Sequence, residues 1–349
     1  MLAEDLVAAR ERLQRIIAPF HGERLLGPKL AIVNPPLWEI GHVGWFQELW
    51  CLRSDSSKES LLKNADRLYD SSAIAHDVRW DLPLPSIDET KKYLQDVQER
   101  VLERLQREPE NEALRYYVRL ATYHEDMHGE AFHYTCQTLG YEGLEIDVPR
   151  NPSSLDIEFQ KTRFILGAVP GKDEFVFDNE KWAHEVEVAP FRIASAPVTN
   201  GQYLEYVGGG GKAPRYWKKV DGGWTERRFN KTRKLNKEEP VRHVDWNEAQ
   251  AFCRWAGRRL PAEAEWEMAV QNPAFTWGRT WEWTATAFNP YPGFVIDPYA
   301  DYSKPWFGTH KVLRGASFTT PRRMLRRTFR NFYMADRGDV FCGFRTCGL

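Results

Sequence analysis

No stretch of the 349-residue sequence approaches the roughly 18 consecutive apolar residues of a membrane-spanning helix, so no such span is expected. Cysteine is scarce and odd in number, five in all. That excludes the dense disulfide framework of a small secreted scaffold and fits a reducing cytoplasm. Net charge is also nearly absent, with 48 Lys and Arg against 49 Asp and Glu leaving −1. Without a global basic field, neither nucleic acid nor an anionic membrane is expected as a partner. The N-terminus, MLAEDLVAARERLQRI, is acidic and amphipathic and lacks the apolar core of a signal peptide, so a cytoplasmic location is expected. Internal repeats and low-complexity tracts are missing too. GGGGK at 208–212 has neither the spacing nor the Ser/Thr of a phosphate-binding loop and reads as a loop tip.

What the chain does have is enough apolar material for large cores. It is 42% hydrophobic and 28% charged, and its length suggests two domains. Residues 1–150 read as helical. Residues 4–18 place Leu6, Ala9, Leu13, Ile16 and Ile17 on one stripe, and 36–52 form a second helix with Pro36 near its start. A third helix spans 86–107, where Ser86 and Glu89 make a capping box, and a fourth covers 111–139 and ends at Gly140. Four long helices point to a bundle, a common place for metal sites. VPRNPSS at 148–154 is the expected linker. Beyond it, short β-like runs such as TRFILGAV and HEVEVAPFRIAS alternate with Gly/Pro loops, and one evident helix lies at 246–257. The 14 Trp, 14 Tyr and 19 Phe suggest that aromatic packing holds the irregular backbone there.

The fourth helix carries YHEDMHGEAFHYT, in which His124 and His128 stand one turn apart on one face. H-E-x-x-H is the pattern of zinc metalloproteases, where Glu125 would be the general base. The spacing alone suits any metal that accepts two imidazoles, so the third ligand must identify the chemistry. His133 follows His128 by five residues, about 140° further round the helix, and is expected to point elsewhere. Upstream, His42 lies in NPPLWEIGHVGWFQELW between Gly41 and Gly44. Glycine inside a helix costs about 1 kcal/mol relative to alanine, which hints at the close approach of another group. Alone, His42 reads as a core histidine; with His124 and His128 it becomes a candidate third imidazole. Glu130 would then orient a ligand histidine through its ring N–H.

W-E-x-G-H-x-x-W-F-x-E followed by H-x-x-x-H-x-E resembles the N-terminal domain of ergothioneine-type sulfoxide synthases. PVRHVDWNEAQAFCRWAGRRLPAEAEWEMAV (240–270), TWEWTATAFNPYPGF (280–294), VLRGASF (312–318) and RNFYMADRGDVFCGFR (330–345) resemble formylglycine-generating-enzyme-like domains, in order. The resemblance implies an α+β protein: a DinB-like four-helix bundle over 1–150, then a formylglycine-generating-enzyme-like (C-type-lectin-like) α/β domain over 151–349. It further implies a non-haem Fe(II) enzyme that uses O2 to join sulfur or selenium to the imidazole C2 of hercynine (trimethylhistidine), or of histidine in one branch.

By the same resemblance His42, His124 and His128 hold the iron. Asn331 and Phe332 match the family's Asn-aromatic pair and contribute to the hercynine pocket, where an aromatic face suits a quaternary ammonium. Tyr291 matches the active-site tyrosine. Arg79 and Arg337 are candidates for the donor's carboxylate. Met127 and Tyr333 depart from the members that use γ-glutamylcysteine, and the tail YMADRGDVFCGFRTC is closer to the selenoneine synthase branch, whose donor is a selenosugar. That branch is the preferred reading, ahead of a thiol donor such as cysteine or γ-glutamylcysteine. Cys342 and Cys347 do not match the copper-binding pair of formylglycine-generating enzymes and read as structural. A monomer is expected. The rivals are a zinc protease and a non-catalytic binding module with a lectin-like second domain.

Overall fold

In the computed structural model, which describes residues 1–53 and 58–349, the chain divides into two units, Met1–Leu144 and Glu145–Leu349. The first is helical, with α1 (Leu2–Ile17), α2 (Pro36–Glu48), α3 (Ala65–Tyr69), α4 (Ile87–Arg107) and α5 (Glu112–Leu139). Helix α1 packs on α5, and α2 packs on both α4 and α5, which makes the four long helices a bundle. The expected stripe of α1 is buried, and Arg10 is buried with it. Helix α4 starts at the predicted capping box, with Ser86 N–H donating to Glu89 Oε2 at 2.8 Å. Helix α5 stops at Gly140, whose φ of 70° provides a left-handed C-cap.

Every residue of α2 is buried, so this helix is the centre of the bundle rather than one of its amphipathic walls. Its two glycines explain how that is possible. A Cβ on Gly41 would lie 2.2 Å from the Tyr69 ring, and one on Gly44 would lie 2.6 Å from Leu94 Cδ1. The close approach anticipated from the sequence is therefore Tyr69 at one glycine and α4 at the other. The helix expected to reach residue 52 ends as an α-helix at Glu48 and continues as one π-turn, Leu49–Arg53.

The second unit mixes strands and helices, in keeping with the expected α+β class. Strands β1 (Asp156–Phe159), β2 (Thr162–Leu166), β3 (His184–Val188) and β4 (Phe191–Ala194) precede α6 (Asn200–Gly208). Then come β5 (Trp217–Val220), β6 (Gly223–Arg228), β7 (Lys231–Lys234), α7 (Trp246–Trp255), β8 (Arg258–Arg259) and α8 (Glu263–Ala269). The chain closes with β9 (Thr280–Ala287), β10 (Lys311–Ala316), β11 (Asn331–Tyr333), β12 (Cys342–Phe344) and β13 (Cys347–Gly348). Two four-stranded sheets, ordered β1-β4-β13-β8 and β11-β10-β9-β12, accompany the β2–β3 hairpin and a β5-β6-β7 meander.

Where the sequence shows one evident helix, the structure has three. Helices α6 and α8 span 9 and 7 residues, too short for an apolar period to stand out. The residues that place them are nonetheless in the sequence: Thr199 caps α6 with Gln202. In α8, Trp266 donates from Nε1 to Glu282 on β9 at 2.9 Å, and Arg345 holds the same carboxylate, from Nε at 2.5 Å. These partners are buried, so the TWEW strand is fixed by a satisfied polar network as well as by packing.

Candidate metal centre

Helix α2 supplies His42, and α5 supplies His124 and His128 one turn apart; one ligand atom from each lies within 4.8 Å of the others. Among the described residues this is the one such cluster of three potential ligands. The rings face one another, with centroids 5.0 Å apart for His42–His124 and His42–His128 and 4.4 Å for His124–His128.

Each ring is held differently. His42 Nδ1–H donates to the Tyr69 carbonyl at 2.8 Å, which leaves the Nε2 lone pair as the ligand. Trp38 and Trp45, one turn before and after it, stack on its ring at 5.0 and 5.6 Å. His124 lies flat against Phe46 with centroids 3.6 Å apart. His128 Nδ1–H donates to Glu39 Oε1 at 2.7 Å, so its Nε2 is likewise the ligand nitrogen. Burial pushes His42 well below the ordinary imidazole value, with the close approach of the other rings adding to it, and it does the same to His124. Both are neutral imidazoles, the form that binds a metal. His42 and His124 are each 3% exposed, whereas the His128 side chain is 19% exposed and marks the open side.

This donor set fits a divalent transition metal with open positions. Three neutral nitrogens suit iron or zinc alike, so the residue after the first histidine becomes decisive for the protease reading. Glu125 is not at the metal centre's disposal. Arg10 donates to it twice, from Nε at 2.7 Å and from Nη2 at 3.2 Å, and both side chains are buried. A carboxylate locked to a guanidinium is no general base, and the match to H-E-x-x-H is one of spacing alone.

Other expected site residues fall differently. The carboxylate on the His128 ring is Glu39 rather than the expected Glu130, which accepts from Tyr134 Oη at 2.7 Å. Residue i+2 on a helix projects to a different side from residue i, whereas Glu39 faces α5 from the neighbouring helix. A signal for Glu39 was present: it precedes His42 by three residues and so shares its face. His133 is buried and outside the cluster, as expected. Arg79 donates to Asn34 Oδ1 at 2.8 Å and to the Ile74 carbonyl at 3.2 Å, and lies over the Trp38 ring at 3.9 Å. It braces the ring that stacks on His42.

In the second unit, Tyr291 is buried and its hydroxyl donates to Glu263 Oε2 at 3.3 Å, beneath Arg330. Arg330 also holds Glu263 from Nε at 2.9 Å, so the tyrosine expected to serve a reacting centre is part of a core ion network. Asn331 accepts the Phe332 N–H on its Oδ1 at 2.9 Å, the behaviour of a backbone-stabilising amide. Phe332 stacks on Phe288 at 4.1 Å. Arg337 forms a two-pronged pair with Asp339 at 2.6 and 2.7 Å. Cys342 and Cys347 are buried, free thiols on strands of different sheets, and Cys342 Sγ donates to the Val244 carbonyl.

Comparison with known proteins gives the two units separate matches. Residues 5–132 match the DinB superfamily, and residues 160–279 and 274–348 match the sulfatase-modifying factor enzyme 1-like domain. The chain is 30% identical to the hercynine oxygenase of Mycolicibacterium thermoresistibile, covering 99% of this chain and 94% of that one. It is 29% identical to the hercynine oxygenase of Mycobacterium tuberculosis, covering 99% and 97%. Ergothioneine biosynthesis protein 1 of Schizosaccharomyces pombe is 28% identical over 52% of this chain and 29% of its own length.

Proposed function

Because the chain belongs to the hercynine oxygenase family of ergothioneine-type sulfoxide synthases, we propose that it uses Fe(II) and O2 to join selenium or sulfur to the imidazole C2 of hercynine. The observation that carries this reading is the meeting of His42, His124 and His128 from two helices in a chain aligned with such enzymes along its length. Fe(II), when bound, supplies the one-electron chemistry that O2 requires and a site for a soft chalcogen donor. The three histidines bind it as neutral donors, and the Tyr69 carbonyl and Glu39 set the orientation of two rings. Trp38, Trp45 and Phe46 exclude water from the rear of the site. His128 borders the open side, from which substrates approach.

A selenosugar is the donor we favour. Cysteine and γ-glutamylcysteine carry carboxylates, and an enzyme that takes them needs spare cations to meet them. Arg337 is paired with Asp339, and Arg79 spends its Nη1 and Nη2 donors on Asn34 and a main-chain carbonyl over Trp38, keeping only Nε unpartnered. A sugar donor needs no such clamp. The sulfur alternative draws its support from the relatives named above.

The test is anaerobic reconstitution with Fe(II), followed by O2, hercynine and, in separate reactions, a selenosugar, cysteine or γ-glutamylcysteine. Mass spectrometry identifies the product. A selenium adduct of hercynine is expected, and H42A abolishes it. An adduct formed only with γ-glutamylcysteine overturns the choice of donor. Failure of every donor to consume hercynine overturns the synthase reading.

A further inference from the structure

We propose that Glu39 is a positioning residue of the metal centre, fixing His128 as an Nε2 donor and supplying the three-imidazole site with an anionic support. The proposal rests on the three-histidine reading above. Glu39 and His42 are three residues apart on α2 and share a face, so a single helix turn delivers one ligand and grips another. The grip is short, 2.7 Å from Glu39 Oε1 to His128 Nδ1, and Glu39 is 2% exposed.

Burial makes this contact consequential. A carboxylate removed from water is costly unless strong donors or cations answer it. Here one answer is the His128 ring N–H, and Arg79 adds another, since the charge of Glu39 acts on the Arg79 guanidinium. The ligands are consequently unequal. His42 is backed by a neutral carbonyl, whereas His128 is backed by a carboxylate, which raises the electron density that its Nε2 gives a metal.

The α2–α5 arrangement also anchors His128 where anchoring matters. It is the ligand open to solvent, without the stacking of two indoles that holds His42. A free imidazole there could rotate about its side-chain bonds or present Nδ1 in place of Nε2. The Glu39 bond removes both freedoms, because Nδ1 must keep its proton to donate.

Co(II) provides a test that does not depend on turnover. The full-length metal-free protein is titrated with Co(II) against a competing chelator, and the visible d–d spectrum is recorded for wild type, E39Q, E39D, E130Q and H42A. Glutamine keeps an acceptor but loses the charge, so E39Q is expected to bind Co(II) about 10- to 100-fold more weakly, with an altered spectrum. E39D, which restores the charge, is expected to recover part of the affinity and the wild-type band pattern. E130Q is expected to match wild type.

Wild-type affinity and spectrum in E39Q overturn the proposal, as does a loss confined to E130Q. If E39Q fails to fold, E39D decides, because a purely packing role gives it no wild-type spectrum. Failure of the underlying reading looks different: wild type then binds Co(II) no more tightly than H42A.

Discussion

Arg10 of α1 and Glu125 of α5 form a two-pronged ion pair, at 2.7 and 3.2 Å, with the side chains 3% and 1% exposed. Removing one partner of a buried pair strands the other charge. E125A is therefore expected to destabilise the protein by about 3–5 kcal/mol, and R10A comparably. Denaturant unfolding measures this. A protease base would behave otherwise, with stability preserved and peptide hydrolysis lost.

Gly41 bears on stability and on the metal centre together. A Cβ there meets the Tyr69 ring at 2.2 Å, and the Tyr69 carbonyl is the partner of His42. Overpacking of this kind costs about 1–3 kcal/mol. G41A should lower the melting temperature and weaken Co(II) binding in parallel. Wild-type behaviour in both would show that Tyr69 yields without moving His42.

The thiols should be silent. All five are buried, and burial pushes Cys136, Cys253 and Cys347 up to about 12. Attack by a thiol requires the thiolate, so the native protein should leave a disulfide reagent at pH 8 unconsumed and release five equivalents in denaturant. The same shift has a sign. The folded thiols hold their protons above the unfolded value of about 8.5, so this contribution is complete below that pH and declines as pH rises toward 12. Unfolding free energy measured from pH 8 to 10 should fall, and fall less in C253A.

Tyr291 separates a core role from a catalytic one. Its hydroxyl donates to Glu263 at 3.3 Å inside an ion network. Y291F should cost about 1 kcal/mol of stability while leaving product formation unchanged. A collapse of turnover with no loss of stability would favour the catalytic role.

Much of this was legible in the chain itself. Periodicity and capping residues placed the four long helices, since Leu6, Leu13 and Ile16 can be buried together only at a helical spacing. The i, i+4 spacing alone put His124 and His128 on one face, and Gly41 and Gly44 announced a close approach to α2. Ordered motifs carried the family. Tertiary structure decided the rest, because hydrogen bonds between distant segments leave little periodic trace. Glu39, not Glu130, meets His128, since the partner of a ring N–H is chosen by the helix that faces it. Glu125 belongs to Arg10, 115 residues away, and Arg337 to Asp339, so charges that looked available for chemistry are engaged. Sequence spacing fixes which side chains share a face; only packing fixes what that face meets.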